Sequence, residues 1–372
     1  MSAVAADARP SERIVSIDIL RGAVMVLMAL DHVRVYSGLP PGGPTPGIFF
    51  ARWVTHFCAP AFFFLAGTGA FLRLQRRGDK REMSRFLVTR GLFLVFLELT
   101  VLRVAWTFNF DFQHYLLAGV IWALGWCMVL LAAIIWLPLP AIAVASLAII
   151  AGHNLLPPPT DAVSPLGQIL YYGGPVGILA VLYVIVPWVA VMAAGYAFGA
   201  VVRRRDVCIA IGLGATVLFL VLRGIDAYGD PRHWHGMPAQ VPFVIRFLNT
   251  TKYPASLDYL LMTLGPTILV LPFVKGQRVL DTFGRVPLFF YVLHIPLIHA
   301  MACVVSVIRT GAINPWLFTN HPMMNPEPPD GYTWSLWLLY LVWIIVIAML
   351  LPVCHWYARI KATRRSPWLS YL

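Results

Sequence analysis

The sequence predicts an all-α, polytopic membrane protein of about ten transmembrane helices with both termini on the cytosolic side. Three observations carry that prediction. Of 372 residues, 59% are hydrophobic and only 12% are charged, about half the charge of a soluble domain. The apolar residues arrive in blocks of about 20, enough for a helix to cross a bilayer core of roughly 30 Å. The basic residues cluster in alternate segments between those blocks, as the positive-inside bias requires. A soluble enzyme, a disordered chain and a disulfide-stapled secreted domain are excluded.

The blocks cover 15–37, 49–73, 86–106, 116–136, 138–155, 177–201, 207–224, 255–274, 287–309 and 332–357. Only helices or closed barrels satisfy every backbone group in lipid. Runs such as VIWALGWCMVLLAAIIW lack the alternation of a barrel strand. The LPLP at 137–140 reads as the tight turn of a helical hairpin. The first 18 residues carry acids and a proline rather than an apolar leader, so the first spanning helix is expected to lead insertion. With the N-terminus inside, the inner segments hold Arg9 and Arg13; Arg73, Arg76, Arg77, Lys80, Arg81 and Arg85; Arg203, Arg204 and Arg205; Lys275, Arg278 and Arg285; and Arg359, Lys361, Arg364 and Arg365. These are 18 of the 28 basic residues. No linker and no internal repeat divides the chain, so 1–372 reads as one membrane domain, with 1–14 a cytosolic tail and 358–372 a basic cytosolic tail.

The net charge of +12 is placed for topology and not for nucleic acid. Cys58, Cys127, Cys208, Cys303 and Cys354 occur singly, without metal spacing, and read as small packing residues. The HWH at 233–235 has two histidines and no fixed third ligand, so no metal is expected.

Charged residues inside an apolar helix cost about 2.5–3.5 kcal/mol each on insertion scales, so they mark where function should be sought. The first block is the richest. Asp18 and Arg21 are neighbours at i,i+3. Arg21 and His32 are eleven residues apart, which is about 1,100° and roughly 16.5 Å along a helix. One stripe therefore carries an ion pair near the inner end and an imidazole near the outer end. Gly22 lets a helix or ligand approach closely. Asp31 is about 100° from His32 and would orient its ring indirectly or through a neighbouring helix. In the second block Arg52 and His56 share a face at the depth of His32, and Pro60 can loosen the helix below them. Glu98, the deepest acid, is expected to pair with a neighbouring arginine, Arg90 and Arg103 lying in the same block. His294, ahead of Pro296, either presents its ring to a cavity or bonds a freed carbonyl. The bland alternative for the stripe is a structural ion pair with an interfacial histidine.

The opening R-x2-SID-x-LRG-x2-M-x2-MALDH-x-R resembles bacterial members of the heparan-alpha-glucosaminide N-acetyltransferase-like family. So do RWVTHFCAPAFFFLAG, LELTVLRVAWTFNFDF, LGWCMVLLA, KYPASLDYLLMTLGP and FGRVPLFFYVLHIPLIH. The wider superfamily of transmembrane acyltransferases includes the acyltransferase-3 enzymes, and its signature is an arginine and a histidine with ten residues between them on the first helix. Arg21 and His32 match it. The resemblance implies acetyl-CoA as donor on the cytosolic side, a sugar or glycan acceptor beyond the bilayer, and no metal. By analogy with the family a homodimer is conceivable, and a bacterial inner membrane is the expected location. One departure stands out. The lysosomal enzyme's active-site histidine precedes the second helix, whereas no histidine lies between Val33 and Thr55 here. That role has moved to His32 or His56, or is absent.

The layout suits acyl transfer. Catalytic candidates are His32, Asp31 and His56. Arg21, Asp18, Gly22 and Arg285 are candidates for holding the donor, whose phosphates suit the basic inner face. Arg52 and His294 are candidates for the acceptor, and Arg52 with His56 for a developing oxyanion. His32 could act as general base or form an acyl-imidazole. A proton- or ion-coupled transporter and an inactive membrane binding partner are the competing classes. The transporter would more often show two related halves.

Overall fold

Helix boundaries follow from caps that the sequence supplies between its apolar blocks. The computed structural model describes residues 14–40, 45–157, 163–320 and 327–364; Arg9, Arg13, Arg365 and most of both tails lie outside them. Helix α1 (Val15–Ser37) ends on Gly38, whose φ of 72° suits a residue without Cβ. Next come α2 (Pro46–Trp53), a 3₁₀ turn (Val54–Phe57) and α3 (Cys58–Arg77). Helix α4 (Lys80–Leu97) starts on Asp79, which accepts from the N–H groups of Arg81 and Glu82. It continues through a π-turn (Glu98–Leu102) into α5 (Arg103–Thr107).

Strand β1 (Leu116–Ala118) precedes α6 (Val120–Ile134) and α7 (Leu139–Gly152). A short turn α8 (Pro165–Gly167) leads to strands β2 (Gly174–Val176) and β3 (Leu179–Val181), then to α9 (Val186–Phe198). The remaining helices are α10 (Arg205–Ile225), α11 (Phe243–Leu248), α12 (Leu257–Val270), α13 (Arg278–Arg285), α14 (Pro287–Thr310) and α15 (Leu336–Thr363).

Helix occurs within every apolar block, but two blocks open differently from expectation. Residues 116–118 and 179–181 pair as parallel strands, with β2 antiparallel on the other side of β3. The fold is therefore mainly helical with a small three-stranded sheet. The turn at LPLP also does not fold its helices together, since α6 lies along α4 and α9 while α7 lies along α9.

Among the described residues, four helical segments are long and apolar enough to cross a membrane: Pro46–Arg77, Arg205–Ile225, Pro287–Thr310 and Leu336–Thr363. On α10 and α15 less than a quarter of the apolar window is buried within the protein. Leu213, Val217, Leu220, Trp337, Ile344 and Trp356 all face outward. Such surfaces are stable against lipid and not against water. The chain is an integral membrane protein.

Close helix crossings occur at glycines, as expected where packing and not hydrophobicity drives association. A Cβ at Gly22 would overlap the Leu280 carbonyl, and one at Gly284 the Asp18 carbonyl. The short α13 is thus pressed backbone to backbone against the first turns of α1. Gly67 and Gly195 bring α3 and α9 together in the same way. We predict that Gly22→Val lowers the thermal unfolding midpoint in detergent, with a cost of about 1–3 kcal/mol or more from overpacking. Gly214→Ala, where nothing lies within 4 Å, should leave the midpoint unchanged or raise it.

Candidate active site

Helix α1 carries polar groups at two levels, and each faces a different environment. At the level of its first turns, the Arg21 guanidinium donates to the Leu65 carbonyl at 2.7 Å and lies 3.8 Å from the Asp18 carboxylate. Both line a cavity of about 670 Å³. Its lining is basic, with Arg73, Arg76, Arg77, Arg285 and Lys361, and also includes Met25, Leu94, Ile121 and Tyr291. Arg285 is held by Asp281 at 2.6 Å and remains 43% exposed along its side chain. Gly22 is not part of the lining. Its missing side chain serves the close contact with α13.

Three turns along α1, His32 meets α14. Its Nδ1 is 2.6 Å from Nε2 of His294, and the two rings stack with centroids 4.9 Å apart. Nδ1 of His294 lies 2.7 Å from the Tyr291 carbonyl and 3.2 Å from that of Phe290. Carbonyl oxygens only accept, so in the neutral ring Nδ1 of His294 carries the proton and Nε2 is a lone pair. His32 must then donate from Nδ1, which leaves its own Nε2 as a lone pair. The tautomer of His32 is thereby fixed from the neighbouring helix. Trp106 and Tyr291 hold the ring edge-on, at 4.7 and 6.1 Å between centroids.

His294 is fully buried with both ring nitrogens engaged. It is the hydrogen-bond partner of His32. Asp31 does not touch the His32 ring either; it takes the Arg34 guanidinium at 2.9 Å. Tyr291 stands between the two levels of α1, because it lines the cavity and also packs on His32. His32 itself does not line the cavity.

Pro60 explains the local structure of the second block. Having no N–H, it cannot bond the His56 carbonyl four residues earlier, and the chain runs as a 3₁₀ turn there. The released carbonyl accepts from the Tyr259 hydroxyl at 2.8 Å. The His56 ring is 2% exposed, 5.3 Å from the Tyr259 ring, and neither of its nitrogens has a hydrogen-bond partner among the described residues. Arg52 sits one turn earlier, half-buried. Lys252, from the loop before α12, completes this cluster. It is 9% exposed, with its ammonium 5.2 Å from the Tyr253 ring centre. Sequence reasoning missed Lys252, Tyr259, Trp106 and Tyr291. The signal for Lys252 was a charge abutting the apolar stretch KYPASLDYLL.

Two further expectations resolve differently. Among the described residues Glu98 forms no ion pair with an arginine. Its carboxylate accepts from the backbone N–H groups of Ile121 and Trp122 and so caps α6, where Gly119 has no side chain to do it. A Cβ at Gly119 would press on that same carboxyl. Arg103 instead holds the following loop, donating to the carbonyls of Tyr115 at 3.1 Å and Asp111 at 2.6 Å. In the HWH stretch, His235 bonds Asp226 at 2.8 Å and His233 bonds the Asp226 carbonyl at the same distance. Burial alone would raise the Asp226 carboxyl, but the His235 side chain and the N–H groups of Trp234 and His235 outweigh it and hold it below its ordinary value.

A bundle of this kind, with a basic cavity at one end and a paired histidine beyond it, defines a polytopic membrane protein whose polar residues are arranged around α1. Residues 13–228, more than half of the chain, match the catalytic domain of heparan-alpha-glucosaminide N-acetyltransferase, and the chain belongs to that family of membrane N-acetyltransferase enzymes. The matched span contains Arg21, His32, Arg52 and His56; Lys252, Arg285 and His294 lie beyond it. No curated protein matches the chain.

We predict that Glu98→Leu, which strands two α6 amides, costs about 1–3 kcal/mol in thermal unfolding. Glu98→Gln, which keeps an acceptor oxygen, should cost clearly less.

Proposed function

We propose that the protein transfers an acetyl group from cytosolic acetyl-CoA to an amine or hydroxyl of a sugar or envelope glycan across the membrane. The observation that carries this reading is the hydrogen-bonded chain from the Tyr291 carbonyl through His294 to His32. It leaves a lone-pair nitrogen on a ring that packs against Tyr291, which lines a cavity rich in basic residues. In this reading the ten helical blocks form one membrane domain, and the end bearing Arg76, Arg77 and Arg285 faces the cytosol of a bacterium.

The donor's phosphates would lie among these basic residues, where guanidinium groups bind them bidentately. Its uncharged arm would run past Arg21 and Asp18 toward Tyr291. The acceptor would approach His32 from the opposite end, where His32, Asp31, Arg34 and Arg52 are each partly accessible. Nε2 of His32 removes the acceptor's proton as its nitrogen or oxygen attacks the thioester carbonyl. The C–S bond then breaks, and the imidazolium returns the proton to the departing thiolate. His294 acts through His32 as a positioning residue. The absence of a histidine between Val33 and Thr55 is compatible with this, since His32 already occupies the stripe.

We predict that His32→Ala lowers acetyl transfer by about 10²–10⁴-fold while binding of labelled acetyl-CoA persists. His294→Ala should lower kcat and alter the pH–rate profile without changing the KM for acetyl-CoA. Arg21→Ala should raise that KM. CoA release measured on purified protein with a panel of amino-sugar acceptors checks all three. Unchanged turnover in His32→Ala would remove the mechanism.

A further inference from the structure

A second cavity, of about 420 Å³, opens where the first residues of α1 meet the ends of two other helices. The transfer reading does not use it. Its walls come from Ile14, Val15 and Ser16, from the turn that starts α10, and from the loop that joins α12 to α13. Three of the lining side chains are cationic, Arg203, Arg205 and Lys275, and none of the described lining residues is acidic. Asp206, next in sequence to Arg205, is held by Arg204 at 3.1 Å. The Arg205 guanidinium carbon lies 4.8 Å from the centre of the Phe273 ring. A guanidinium stacked in this way keeps its N–H edge for an anion.

The rest of the lining is largely apolar, with Ile14, Leu271 and Val274 in it, and the cavity adjoins a surface suited to lipid. Arg205 is the first residue of α10, one of the helices long and apolar enough to cross the membrane. Further along that helix Ile211 and Leu213 are exposed, and Val270 and Phe273 are exposed beside the loop. A cationic hollow at the end of a membrane-crossing helix stands at headgroup depth, next to acyl chains. A free phosphate or a nucleotide would satisfy the cations and leave the apolar walls and rim without a partner. A phospholipid answers both, with a phosphate for the cations and chains for the apolar surface.

We propose that this cavity binds the headgroup of an anionic phospholipid. Arg203, Arg205 and Lys275 hold its phosphate, and its acyl chains lie along the outward faces of α10 and α12. The site is separate from acetyl transfer and requires neither histidine of the His32 pair. Ile14 lines both cavities, so the phosphates of CoA are the competing occupant and form one arm of the test.

The test uses the full-length protein in nanodiscs of phosphatidylethanolamine and phosphatidylglycerol in equal amounts. After transfer to detergent, native mass spectrometry reads which lipid stays bound. Phosphatidylglycerol is expected to dominate. Its retention should fall about tenfold or more in the double variant Arg205→Gln and Lys275→Gln, as two basic residues at an anionic headgroup imply. Both positions are exposed, and Lys275→Glu alone should also lose the preference and serves if the double variant fails to fold. Arg81→Gln removes an exposed arginine outside both cavities and should leave retention unchanged. Excess CoA or inorganic phosphate should not displace the lipid. Equal retention of the two lipids, an equal loss in Arg81→Gln, or displacement by CoA or phosphate would overturn the proposal. No turnover is read, so failure of the His32 prediction would leave this result standing.

Discussion

The hydrogen bond between His32 and His294 joins the first helix to one 262 residues further along the chain, and much else in the bundle follows from keeping it short. Helix α1 must be held in axial register against α14. That is achieved at its other end, where Gly22 and Gly284 let α13, which leads directly into α14, press against the α1 backbone. The two glycines and the two histidines thus act as paired fixings on one helix. Arg21 and Asp18 lie on the cavity wall at the level of the glycines, with Tyr291 as the residue common to both levels. His294 is itself oriented by carbonyls of its own helix, so the proton position is set by α14 and delivered to α1.

Charge is divided along the bundle in a way that matches these fixings. The basic lining of the large cavity draws on α3, α13 and α15, elements distant in sequence whose arginines and lysine come together at one end. The opposite end draws on α1, α2 and the loop before α12. Its cations are fewer but more deeply placed, and only one of them has an acid to itself.

Much of the helical skeleton was legible, because blocks of about 20 apolar residues have few other uses. The stripe joining Arg21 to His32 was legible too, since it requires only the 3.6-residue period. The strands at 116–118 and 179–181 were not, because Leu116-Leu117-Ala118 continues directly into the apolar run of α6 and three residues are too few for alternation to register. Contacts across the sequence were equally hidden. Asp31 could be placed off the line of His32, but its choice of Arg34 at i,i+3 had to be seen. His294 was visible as an unusual histidine near a proline, while its partner was not. Gly22 signalled close approach without saying whether backbone or ligand would come. Glu98 was read through its charge, and its actual role depends on the amides of another helix.

The cap that Glu98 provides has a consequence for how the protein assembles. A helix in lipid usually carries the means of starting itself, but α6 begins at a glycine and borrows its first acceptor from the end of α4. Its opening turn is completed only when that neighbour has docked. Nucleation, ordinarily a local event, becomes here a shared step. The third and fourth apolar blocks therefore share the opening of α6, which the fourth does not complete by itself.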